Sequence, residues 1–252
     1  MRRGLVRSTL VFAVLLASSA SAHDFWIEPS TFRPAAGDRV TAGLRVGQKL
    51  QGEAVPRIPP LVDRFVLDNA PMIGFSGSNP AGIAAVARPG FQWIGYQSNA
   101  FPMTLDAPKF EQYLRDEGLD GVIKVQSQRP QSERFYRCAK ALLDADGAKS
   151  GTFDAPLGFT LELVPRKLPH AGDTLPLTLL FHGKPAANVL VVAMSKTDPD
   201  NAVRARTDAR GRVTLRIAHG GFWLIKAVHM RSAPADSGVD WESWWASLTF
   251  EL

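Results

Sequence analysis

The 252-residue sequence carries 29 Lys and Arg against 24 Asp and Glu, a formal net charge of +5, with 45% hydrophobic residues. No run of basic residues interleaved with aromatics is present, so nucleic-acid binding is not expected. A single cysteine, Cys138, rules out an internal disulfide and reads as a small packed residue.

At the N-terminus, Arg2, Arg3 and Arg7 precede an apolar run, Leu10 to Ala17, closed by the small residues Ser18, Ser19, Ala20, Ser21 and Ala22. This is the pattern of a secretory signal peptide over residues 1–22, and Ala20-x-Ala22 places cleavage before His23, with a cut before Ser21 as the alternative. The run is about half of the ~20 residues a bilayer-spanning helix needs. The mature chain is therefore expected in the periplasm and not across the membrane. Removing three arginines and no acid takes the formal charge from +5 to +2, so part of the basic character belongs to the targeting segment.

Residues 23–165 read as a β-rich N-terminal domain. Strands are expected at 40–46, 64–67, 82–87 and 91–96, separated by Pro- and Gly-rich loops. Two short helices are expected inside it. The first, near 107–117, has Asp106 at its N-cap, Pro108 in its first turn, Phe110 and Leu114 on its buried side and Gly118 as its stop. The second, near 132–143, rests on Phe135, Ala139 and Leu142 at helical spacing.

Residues 166–252 read as a C-terminal β-sandwich domain. Leu175, Leu177, Leu179 and Phe181 alternate with their neighbours at a period of two, as in a strand with one buried face. An apolar run at 189–194 follows, then a hairpin of 204–207 and 213–217 around Asp208-Ala209-Arg210-Gly211, and strands at 222–230 and 244–252. Short strands at this spacing define a mainly β fold with two sandwich-like domains.

Cleavage before His23 exposes an α-amine beside an imidazole, and the two chelate one metal ion near neutral pH. With one more imidazole this becomes a three-nitrogen site suited to Cu, with Ni behind. Cleavage before Ser21 places histidine third, a square-planar arrangement for Cu(II) or Ni(II). Strand parity selects the partner: Lys226 is expected to mark the solvent face, which puts His229 with Trp223, Ile225 and Ala227 on the buried one. His170, His182 and His219 fall in or beside turns. Glu242 is a further candidate, as an oxygen ligand or as a hydrogen-bond partner of a ligating histidine. The stretch Trp241 to Trp245 beside Asp236, Asp240 and Glu242 reads either as a packed corner or as a sugar-binding surface. No phosphate loop, nucleophile elbow or His-Glu-x-x-His pair occurs.

The segments Ala22 to Pro29, Gly43 to Gly47, Lys109 to Leu114, Lys226 to Met230 and Trp241 to Phe250 resemble the domain of unknown function 4198 family, exported bacterial proteins labelled as periplasmic components of cobalt or nickel uptake. The resemblance implies a transthyretin-like or prealbumin-like C-terminal sandwich. It also implies an envelope metal-binding role with His23 and His229 as metal positions. The expected function is therefore capture of a divalent transition metal (Cu, Ni or Co) for delivery to a membrane importer, without enzymatic activity. A carbohydrate- or protein-binding sandwich module and a copper-dependent oxidative enzyme are the alternatives.

Overall fold

The computed structural model describes residues 23–125, 128–147 and 152–252, so the expected signal peptide lies outside the described residues. Seventeen strands and one α-helix follow in chain order among the described residues: β1 (Asp24–Pro29), β2 (Arg39–Gln48), β3 (Gln51–Val55), β4 (Val62–Leu67), β5 (Ala70–Pro71), β6 (Gly82–Ala85), β7 (Gly90–Ser98), β8 (Phe101–Leu105), α1 (Ala107–Asp116), β9 (Gln131–Ala145), β10 (Leu161–Pro165), β11 (Asp173–Phe181), β12 (Lys184–Pro185), β13 (Leu190–Ser195), β14 (Val203–Arg206), β15 (Arg212–Ile217), β16 (Phe222–Ser232) and β17 (Trp241–Glu251). The mainly β reading therefore holds. No described helix is long and apolar enough to cross a membrane.

The strands form three sheets in three layers. The central one has nine strands, ordered β14-β13-β16-β17-β9-β7-β4-β5 with β8 also on β9. One outer sheet is β1-β2-β3 with β6, and the other is β10-β11-β12 with β15. Alternation along the central strands supplies both interfaces. Ala139, Ala141, Leu143 and Leu224 pack against Phe25, Ile27 and Leu44 of the first outer sheet. Cys138, Leu142, Ile225 and Leu248 pack against Leu161, Leu177 and Leu215 of the other. Helix α1 covers the remainder of the first face, where Phe110, Tyr113 and Leu114 meet Val228, Met230 and Trp245. Each such large side chain contributes roughly 1.5–3 kcal/mol by leaving water.

Helix α1 forms as its sequence predicts. Pro108 lies in its first turn, and Gly118, at φ +63°, provides the left-handed residue just past its end. Asp106 occupies the N-cap without a side-chain hydrogen bond to the helix.

The helix expected at 132–143 is instead the long strand β9. β9 is flanked by β17, β7 and β8, and nearly every residue of its second half is buried, on both faces. Burial on both sides erases the period of two, and the 3.6-like spacing of Phe135, Ala139 and Leu142 is incidental. The hairpin expected from 204–207 and 213–217 is also absent: β14 pairs with β13 in the central sheet, whereas β15 pairs with β11 in the outer one. The turn between them, closed by Gly211 N–H donating to Asp208 O at 2.9 Å, carries the chain from one layer to the next.

The central sheet takes β4, β5, β7, β8 and β9 from before the boundary expected at 165/166, and β13, β14, β16 and β17 from after it. The two sets join through β9 and β17, which run parallel from Trp241 opposite Glu133 to Thr249 opposite Ala141.

Candidate functional site

His23 immediately precedes β1, and its backbone carbonyl accepts a hydrogen bond from Arg137 Nη1 at 3.0 Å. The Arg137 guanidinium lies 4.7 Å from the centre of Trp245, 4.9 Å from Phe135 and 5.6 Å from Phe25. Burial lowers its pKa to about 10, offset in part by the charges of Asp24, Glu133 and Glu117. Arg137 therefore stays cationic at neutral pH and holds the start of β1 against the central sheet.

The next residue, Asp24, belongs to a buried ionic group. Lys226 Nζ lies 2.6 Å from Asp24 Oδ1 and 2.8 Å from Glu117 Oε1, and both carboxylate side chains are only 5% exposed. The Lys226–Glu117 contact is a hydrogen bond, whereas the Asp24 approach is an ion pair by distance without hydrogen-bond alignment. Burial pushes the Glu117 carboxyl above its usual range, and Asp24 adds to this while Lys226 opposes it. For Lys226, burial disfavours the charge, yet Glu117 and Asp24 together outweigh it and raise the pKa. The ammonium is thus retained.

Lys226 does share a face with Leu224 and Val228, as parity requires. That face is not the solvent side, because β1 and α1 cover it. A lysine in an apolar strand signalled a buried partner instead of water.

Asp24, Glu117 and Lys226 line a cleft of about 580 Å³. Lys49, in the turn after β2, and Asp200, in the loop after β13, also line it and form an ion pair. Arg204 on β14 also lines the cleft.

A second buried acid lies under α1. Glu133 is 1% exposed, and its Oε1 accepts hydrogen bonds from Tyr113 Oη at 3.2 Å and from Ser243 Oγ. Its Oε2 has no hydrogen-bond partner among the described residues. Burial raises its pKa to about 7, against the opposing effect of the Ser243 and Tyr113 hydrogen bonds and of Arg137.

His229 lies on the other side of the central sheet. It pairs in register with Trp244, its ring centre is 4.4 Å from that of Phe181, and burial, then Arg231 and His182, lower its pKa. Trp244 and Trp245 are strand neighbours on opposite faces, and Arg137, which holds His23, lies over Trp245. The sheet therefore separates the anchored end of β1 from His229, and the structure does not bring the two together.

Glu242 is taken up by two arginines, with Arg134 and Arg231 each 2.9 Å from its oxygens. Among the described residues no group of three or more His, Cys, Asp or Glu is arranged to hold a metal. His170 Nδ1 and His219 Nδ1 are hydrogen-bonded to backbone carbonyls, and His182 is exposed at φ +48°. Trp244 and Trp245, 4% and 6% exposed, are packing residues, so these two rings offer no flat surface to a sugar.

These features define a mainly β protein of three layers, with a charged cleft where its first strand begins. The chain belongs to the family described as Domain of unknown function (DUF4198), whose sequence profile matches residues 20–231. No protein of curated function matches the sequence. Among solved structures, the D0-D1 domain of intimin aligns at 13% identity, covering 90% of this chain and 97% of that one at a TM-score of 0.21. Three N-terminal domains of the bacteriophage RB49 highly immunogenic outer capsid protein align at 13% identity, 91% and 59% coverage and a TM-score of 0.19.

Proposed function

We propose that the protein is an envelope-exported binding protein that captures a divalent transition cation (Ni, Co or Cu) through the α-amine and imidazole of His23 and delivers it to a membrane importer. The observation that carries this reading is the anchoring of His23. Its carbonyl is held by Arg137, which leaves the amine and ring nitrogens as its donors once the leader is removed. A ligand set of amine and imidazole suits late first-row metals. His229 is not part of this site.

The C-terminal sandwich supports a transthyretin-like reading in its layout, with β10, β11, β12 and β15 facing β13, β14, β16 and β17.

The test is titration of the mature protein, its start verified by intact mass, with Cu(II), Ni(II) and Co(II). Acetylation of the α-amine or His23→Ala should weaken binding by an order of magnitude or more, while His229→Ala should leave it unchanged. Equal binding by the acetylated and free proteins would refute the assignment.

A further inference from the structure

The cleft of about 580 Å³ at the end of α1 has a volume within the range of small-molecule sites. His23 is not among the residues that line it, so its occupant is a question separate from metal capture. Most of its charges are balanced where they stand. Lys226 is held by Asp24 and Glu117, and the buried Arg137 guanidinium interacts with the same two carboxylates, so this corner sets two cations against two acids. Lys49 is paired with Asp200 and Arg115 with Glu111 and Gln112, while Asp116 accepts a hydrogen bond from Gln112.

The β14 side is different. Val192 of β13 is in register with Arg204 on one side and with Lys226 of β16 on the other, and directly opposed residues of antiparallel strands share a face. Neighbouring strands lie about 4.8 Å apart, which puts the backbones of Arg204 and Lys226 roughly 10 Å from each other across Val192. Lys226 has its carboxylates, whereas the exposed Arg204 has no hydrogen bond or ion pair among the described residues. Arg206, two positions on and on the same face, donates to the backbone carbonyls of Asn188 at 2.8 Å and Gly118 at 2.5 Å, and no carboxylate among the described residues offsets its charge. Beside these guanidinium groups the cleft wall is apolar, made by Val192, Met194, Pro199 and Ala202.

We infer that the cleft binds a small aliphatic carboxylate, its carboxylate paired with Arg204 and its hydrocarbon chain laid on Val192, Met194 and Ala202. The paired N–H groups of a guanidinium match the two oxygens of a carboxylate. An inorganic anion would leave the apolar wall in water, and an alkyl amine would set its charge against that of Arg204.

The experiment is a proton–nitrogen NMR titration of the mature, metal-free protein with hexanoate, acetate, inorganic phosphate and hexylamine in turn. Hexanoate should give saturable shifts at the amides of Val192, Met194, Ala202 and Arg204. Acetate, which lacks the methylenes that lie on the wall, should bind about tenfold more weakly. Phosphate and hexylamine should leave these amides unmoved. Arg204→Gln should weaken hexanoate binding about tenfold, and because Arg204 is exposed and unpaired, an unchanged melting temperature verifies that the variant is folded. Absence of saturable shifts with hexanoate, or shifts centred on other residues, overturns the site. Hexylamine bound as well as hexanoate, or unaltered hexanoate binding by Arg204→Gln, overturns the pairing with Arg204. Acetate or phosphate bound as tightly as hexanoate overturns the role of the apolar wall. With metal absent throughout, each of these outcomes is independent of the metal-capture reading.

Discussion

Replacing Glu133 with Gln tests whether the acid under α1 is stored in its neutral form. Its side chain is 1% exposed, one oxygen has no hydrogen-bond partner among the described residues, and its pKa is raised from 4.5 to about 7. The folded protein therefore holds the proton more tightly than the unfolded chain does. Between pH 4.5 and pH 7 the unfolded chain releases this proton while the native state keeps it, so stability falls as pH rises through that window. A tenfold change in proton affinity is about 1.4 kcal/mol. The rise from 4.5 to about 7 thus makes the ionised, buried carboxylate a cost of about 3 kcal/mol above pH 7. Glu133→Gln keeps the shape and an acceptor for Ser243 and Tyr113 but removes the titration. The variant should be close to wild type at pH 4 and more stable than it at pH 8. Urea denaturation of both proteins at a series of pH values reads this directly as a stability difference that grows with pH. A difference that stays constant from pH 4 to pH 8 would show that Glu133 does not titrate in this window and would refute the reasoning.

Lys226→Met leaves Asp24 and Glu117 buried together without their counter-charge, and it should destabilise the fold by about 3–5 kcal/mol. Chemical denaturation at pH 7 measures this, and a loss under 1 kcal/mol would show that water replaces the ammonium. Metal binding by the mature protein should strengthen as pH rises, because protons compete with the metal for the same nitrogen donors. Calorimetric titrations at several pH values check this, and affinity independent of pH would exclude these donors as ligands.

The strands with one polar face were legible because a period of two survives in them. β2, β11 and β15 follow expected strands to within a few residues. β9 was not legible, since a strand covered on both faces carries no period and its apolar residues fit a helix equally well. β1 was hidden for a similar reason, as Asp24, Phe25, Trp26 and Ile27 are all buried in succession. The site divided in the same way. His23 could be found because the leader pattern points to it. Asp24, Glu117 and Arg137 could not, because their meeting with Lys226 and His23 depends on contacts more than 90 residues apart. Lys226 was the one available signal, a charge set in the apolar strand Phe222 to Met230. His229 was correctly placed opposite Lys226 by parity, but parity says nothing of which layer covers which face.

The strand at the middle of the nine-stranded sheet, β17, follows every other described strand in chain order, yet it sits between β16 and the parallel β9. Strands from the first and second halves can each assemble on their own side, but each half then ends in an open edge until β17 arrives. Synthesis from the N-terminus thus delivers the keystone after all the described stones it must lock. Closure of the three layers waits on the emergence of this strand, and removing it would leave two unsealed half-sheets prone to pair with other copies.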